Sequence, residues 1–188
     1  MIINQKENIV LPSLPLLMYT NINIADATSK EGDNFSVFVG LDKEKVIQLK
    51  ALSLDESDIE IQKNTSDRKR FGLGKYEDWY KKNRTPFVLV QKNTNKLAAI
   101  IWFGPKSLDE IKEDFHASAW RAYPEFRGKG LMKEFGKFAM NIYASKIPNV
   151  KFSAVIKKEN AGSIGFAQAI GFNDAQKTLP DGSVIMIR

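Results

Sequence analysis

The stretch Ala122-Tyr-Pro-Glu-Phe-Arg-Gly-Lys-Gly-Leu-Met132 constrains this chain more than any other. A strand-like run, Phe115–Tyr123, leads into it, and a helical period follows from about Gly130 to Ser145. Leu131, Phe135, Phe138, Ala139 and Ile142 fall on one face of that helix. Arg127, Gly128, Lys129 and Gly130 therefore occupy a strand-to-helix turn. Two glycines let backbone approach a ligand without a Cβ clash. The first N–H groups of the helix lack internal partners and, with the helix dipole, suit a pyrophosphate. Arg127 and Lys129 add charge there. No Gly-Lys-Ser/Thr follows, so this is not a P-loop, and Lys133 replaces the last glycine of Gly-x-Gly-x-x-Gly. An ordinary glycine-bearing helix cap also fits these residues.

Around the turn, Phe87–Gln91 and Leu97–Phe103 read as a hairpin, Lys151–Ile156 as a strand, and Asn160 as the cap of a helix ending at Gly171. Phe172 opens a strand, and Val184–Ile187 closes the chain as another. Earlier, Phe35–Val39 reads as a strand. Asp42 caps a helix to about Leu54, with Val46, Ile47, Leu49 and Leu52 as its apolar positions. Asp55–Gln62 and Tyr76–Lys82 are short helical pieces, and Lys63–Gly74 a mobile loop. Residues 1–34, rich in Pro and Asn, read as an arm with a short strand within Met18–Ile24, leaving 35–188 as one domain. This order gives an α+β domain with a mixed sheet, not a doubly wound one.

With no cysteine and one histidine, disulfides, Cys-zinc, multi-His metal sites and a cysteine nucleophile are excluded, so no metal is expected. The N-terminus shows neither signal peptide nor membrane span, which points to the cytoplasm. Net charge +6 favours anionic ligands. It is spread along the chain except at Arg68-Lys69-Arg70, so most of it reads as solvated surface rather than a nucleic-acid footprint.

The turn Arg127-Gly-Lys-Gly-Leu-Met132 resembles the acetyl-CoA pyrophosphate loop, Arg/Gln-x-x-Gly-x-Gly/Ala, of the GNAT N-acetyltransferase superfamily. Asn160-Ala-Gly-Ser-Ile-Gly-Phe166 with Gly171-Phe172 resembles the family's second signature. The resemblance implies the GNAT-like acyl-CoA N-acyltransferase fold, a mostly antiparallel central sheet flanked by helices. It implies acetyl-CoA as cofactor and a small-molecule or peptide amine as acceptor. Backbone of Trp120, Arg121 and Ala122 would pair with pantetheine amides. N–H groups from Arg127, Gly128, Lys129, Gly130, Leu131 and Met132 would hold the pyrophosphate, and Asn160 would touch the cofactor near the pantetheine. A backbone N–H near a strand bulge would polarise the thioester.

Three positions depart from the family pattern. Met132 replaces the last Gly/Ala of the loop, Ala167 stands where many members carry a tyrosine acid, and Val155 where some carry a glutamate base. His116, on the strand where lysine acetyltransferases of the family place a base, is the catalytic candidate, its ordinary pKa of about 6.5 being suited to that task. The same residue fits a structural strand histidine. Tyr123 and Tyr143 are alternative proton donors, Tyr143 fitting the core as well. Trp120 reads equally as core or acceptor pocket, and Tyr76, Trp79 and Tyr80 as an aromatic cluster that packs on the sheet or lines the acceptor site. The departures leave open a catalytically impaired CoA-binding module, and the charge an acetyltransferase of an RNA-borne amine. The arm could pack on the sheet, join a homodimer or cover the acceptor cleft.

Overall fold

A computed structural model describes residues 1–108, 110–111 and 113–188. Nine strands form one sheet: β1 (Ile2–Gln5), β2 (Asn21–Thr28), β3 (Asn34–Gly40), β4 (Thr85–Gln91), β5 (Leu97–Leu108), β6 (Glu113–Ala122), β7 (Phe152–Ile156), β8 (Asn173–Thr178) and β9 (Val184–Ile187). The spatial order is β1-β2-β3-β4-β5-β6-β7-β9-β8. Every neighbouring pair is antiparallel except β6 and β7, whose parallel register covers only His116/Phe152 and Ala117/Ser153. The helices are α1 (Lys43–Leu54), α2 (Ile59–Asn64), α3 (Tyr76–Tyr80), α4 (Met132–Lys146) and α5 (Ala161–Ala169).

Adjacent strand residues point to opposite faces, and β5 shows which helices cover which. Trp102 meets Phe71 and Trp79 on one face, while Phe103 meets Tyr143 of α4 on the other. Trp120, in register with Ile101, meets Phe166 of α5 on that second face. β4 and the first part of β5 are buried on both sides, so they read as continuous apolar runs rather than alternating ones.

Three sequence expectations change. Residues 1–34 are not a free arm: β1 and β2 extend the sheet, and Leu11 and Leu16 are buried. Two of the polar residues in β2 have side-chain partners, Asn21 donating to Asp42 and Asp26 pairing with Lys92. Lys63–Gly74 is not a mobile loop. A π-helical turn at Arg68–Gly72 buries Phe71 against Trp79 and Trp102. In α1, Asp42 caps as expected, accepting from Lys45 N at 2.8 Å, but Ile47 is exposed and Lys45 is buried instead. The Lys45 ammonium donates to Asn95 Oδ1 at 2.9 Å, which satisfies it inside. No helix among the described residues is long and apolar enough to cross a membrane.

Candidate functional site

Beyond Ala117/Ser153 the strands β6 and β7 part. A cleft of about 840 Å³ runs from the Arg127–Lys133 turn, along Ala122 to Ala117, to Trp79, Arg84, Trp102 and Lys106. Glu60 is the only carboxylate lining it among the described residues.

At the first end, Gly128 and Gly130 have φ of +76° and +66°, the left-handed region that glycine adopts without strain. A Cβ at either would meet nothing within 4 Å, so these residues keep open space rather than tight packing. No side chain caps α4, and its first closing bond runs from Phe135 N to Leu131 O at 3.3 Å. The N–H groups of Gly128 through Glu134 meet no acceptor among the described residues. Met132 packs against the core as well as lining the cleft.

Hydrogen-bond alternation orients β6. Tyr123 N donates to Ala98 O across β5, and His116 N donates to Lys151 O on the β7 side. In an antiparallel pair the backbone groups alternate between the two sides. Trp120 and Ala122 therefore aim N–H and C=O into the split, while the backbone of Arg121, expected to face the cofactor, bonds β5. The Trp120 carbonyl accepts from Arg121 Nη1 at 2.5 Å and the Ala122 carbonyl from Arg127 Nε at 2.8 Å, leaving the two N–H groups. The register from Ala99/Ala122 to Leu108/Glu113 is unbroken, so no bulge interrupts the β5–β6 pairing.

The arginines do not reach for phosphate. Arg127 forms a two-pronged pair with the buried carboxylate of Asp58, at 2.8 and 2.6 Å. Lys129 lies 3.6 Å from Asp33 and does not line the cleft. Arg121 and Arg70 share the buried carboxylate of Asp67, and both stack on Trp102. Backbone donors, not side-chain charge, mark this end. Of the Arg68-Lys69-Arg70 cluster, Arg68 pairs with Glu56 and Arg70 with Asp67. Asn160 lines the cleft, but its Oδ1 accepts from Ser163 N at 3.1 Å, capping α5, and Ser163 Oγ accepts from Trp120 Nε1 at 3.3 Å. Trp79 lines the cleft, whereas Tyr80 donates to Leu16 O on the packed side.

His116, the expected base, stands outside the cleft lining. Strand alternation turns it toward α4, where Nδ1 lies 2.6 Å from Tyr143 Oη. Burial pushes Tyr143 up to about 12. Tyr123 is fully enclosed, its hydroxyl without a partner and its pKa raised by burial. Burial, then the nearby Arg84, lowers the His116 pKa below 6.5. Because the folded state holds the proton less tightly, the unfolded chain binds more protons as pH falls. The stabilisation is complete above about pH 6.5 and is lost as pH drops below it. In thermal melts, His116→Gln should flatten the stability slope between about pH 6.5 and 5. An unchanged slope would remove His116 as its source.

A family model for the acetyltransferase (GNAT) domain matches residues 41–173. The chain belongs to the GNAT acetyltransferase family. A search of curated protein sequences found no match. Among solved structures, the GNAT domain of an S. lividans protein, PAT, aligns with TM-score 0.63 at 13% identity, covering 87% of this chain and 94% of that one. The ribosomal-protein-S5-alanine acetyltransferase of Vibrio fischeri aligns with TM-score 0.59 at 16%, covering 86% and 96%. RimL, a ribosomal L7/L12 alpha-N-protein acetyltransferase solved with coenzyme A, aligns with TM-score 0.57 at 15%, covering 81% and 93%. These likenesses carry the GNAT fold. Arg84 and Ser118, which line this GNAT cleft, and Asp58 and Asp67, which hold its arginines, are not marked by the sequence. Asp58 lies inside the stretch read as a short helical piece, and its partner Arg127 is 69 residues away.

Proposed function

We propose that this GNAT protein is an N-acetyltransferase that moves an acetyl group from acetyl-CoA to a primary amine by direct attack. The observation that carries this reading is the row of free N–H groups from Gly128 to Glu134, opening on the parted edge of β6. That pairing of an anion cradle with an unpartnered strand edge suits a long amide chain ending in pyrophosphate. The chemistry that bound acetyl-CoA supplies is an activated thioester carbonyl. The turn N–H groups hold the phosphates, and the N–H groups of Trp120 and Ala122 align the amide arm. Ser118, one residue past the last β6–β7 pair, lines the cleft with a buried hydroxyl lacking a partner. Its O–H is free to donate to the carbonyl or the departing sulfur. Among the described residues, no histidine and no enclosed carboxylate faces the reacting end. Arg70, Lys82, Arg84 and Lys106 line that end, and their field disfavours the ammonium form of a bound acceptor. The free amine then attacks, and its proton leaves through water.

Acetyl-CoA at about 100 times its dissociation constant should add about 2.7 kcal/mol, or about 5–10 °C in Tm for a domain of this size. Thiol release with an amine panel tests turnover. A shift without thiol release on any acceptor would favour the second reading, a CoA-binding module without turnover. Ala167 in place of the usual acid, and the seat of His116 outside the cleft, motivate that reading.

A further inference from the structure

The end of the cleft remote from the glycine turn is built differently. Its floor is small, with Ala117 and Ala119 on β6 beside Gly104 on β5. Trp79 and Trp102 form one wall, and Arg70, Lys82, Arg84 and Lys106 approach it. Gly104 is paired with Ala117, five residues before the strand end that feeds the turn. At 3.3–3.4 Å per residue this places Arg84 roughly 17 Å from that strand end. It is too far to serve the pyrophosphate cradle.

Arg84 is the exception among the cleft arginines. Arg127 has Asp58, and Arg70 and Arg121 have Asp67. Arg84 makes no ion pair among the described residues, and its buried Nη1 has no hydrogen-bond partner. An unpaired buried donor on a charged group is costly. The backbone is nonetheless shaped to seat it. A Cβ on Gly104 would fall 2.7 Å from the Asn83 carbonyl oxygen, 2.8 Å from Arg84 Cδ and 2.9 Å from Nη1, so glycine makes room for the Asn83 backbone and for the guanidinium lying over it. Burial and the neighbouring Arg70 both press the guanidinium toward its neutral form, a pressure that an anion would relieve.

Among the described residues, an acceptor with a bare ammonium meets four cations here and no enclosed carboxylate. We infer that this end of the cleft selects amines carrying their own anionic group, a carboxylate or phosphate ester a few bonds from the amino nitrogen, held by the free fork of Arg84. The inference rests on the acetyltransferase reading for its purpose, but binding tests it apart from turnover. The unpaired guanidinium charge suits either oxyanion, and the indoles of Trp79 and Trp102 cover the carbon skeleton.

The test is calorimetric binding to the protein saturated with CoA, which cannot transfer acetyl. The probes are matched pairs, L-phenylalanine with phenethylamine and 2-aminoethyl phosphate with ethanolamine, plus spermidine as a polycation. At least one acidic member should bind at least about tenfold tighter than its partner, and spermidine should bind weakest. The pair that shows the preference tells carboxylate from phosphate. Arg84→Gln should bring the two members of that pair to near-equal affinity. Arg84→Lys, which keeps charge but not the fork, should retain a reduced preference, provided both variants melt as cooperatively as the parent. Equal or tighter binding of the bare amines, no binding by either acid, or a preference unmoved by Arg84→Gln overturns the inference. Failure of the acetyltransferase reading appears separately, as an acid that binds but releases no thiol from acetyl-CoA.

Discussion

Asp58→Ala should lower the melting temperature by about 6–12 °C. The Asp58 carboxylate is 2% exposed and takes both prongs of Arg127, itself 32% exposed. Removing one partner of such a pair strands the other charge, typically at about 3–5 kcal/mol. The partial exposure of Arg127 places the cost near 3 kcal/mol, and each kcal/mol moves Tm by about 2–4 °C in a domain of this size. The same carboxylate caps α2, accepting from Ile61 N at 3.2 Å, so lost capping adds to the cost. Asp58→Ala combined with Arg127→Ala should recover part of the loss, because no unpaired guanidinium remains. Simple addition of the two single losses would show that the pair is not coupled and that the cap carries the effect.

The Arg127–Asp58 pair also marks where the sequence stops being legible. Arg127 occupies the position that, read along the chain, belongs to a phosphate contact. Its real partner lies on another element, and nothing local in the sequence announces a pair across 69 positions. The glycine turn, the helix behind it and the Asn160 cap were legible because each rests on neighbours within four residues: a positive φ, an amphipathic period, a side chain reaching the N–H three residues on. The β4–β5 hairpin was legible for the same reason.

What no local pattern announces is tertiary. The parting of β6 from β7 begins where pairing ends at Ala117/Ser153, and the family resemblance, not any residue there, points to it. His116 lies on β6 as expected and shares its face with Ser118 and Trp120, but it sits where β7 still pairs with β6, so it meets Tyr143 and stays outside the cleft. Hydrogen-bond alternation moves the cofactor-facing backbone from Arg121 to its neighbours Trp120 and Ala122. One residue of register decides such questions. Residues 1–34 read as an arm because β2 mixes Asn and Asp with its apolar positions, and the partners of Asn21 and Asp26, on α1's cap and beside β4, lie far along the chain.

Gly130→Asp should abolish the acetyl-CoA thermal shift while leaving the unliganded protein folded. Gly130 sits at φ +66°, where Asp is among the better-tolerated side chains. Its Cβ would meet nothing within 4 Å, so steric cost is small. A carboxylate ahead of α4 also suits the positive end of the helix dipole, so the fold should lose at most about 1 kcal/mol. The free N–H groups would then face a resident anion instead of a phosphate. One like charge at about 4 Å costs about 4 kcal/mol at an effective dielectric near 20. Salt screening reduces this, which leaves a loss in affinity of at least about 100-fold. Gly130→Ala separates the causes, because it adds similar backbone strain without charge and should keep most of the shift. Binding of acetyl-CoA to Gly130→Asp with parental affinity would mean that the phosphates are held elsewhere, and that the donors from Gly128 to Glu134 are only an uncapped helix end.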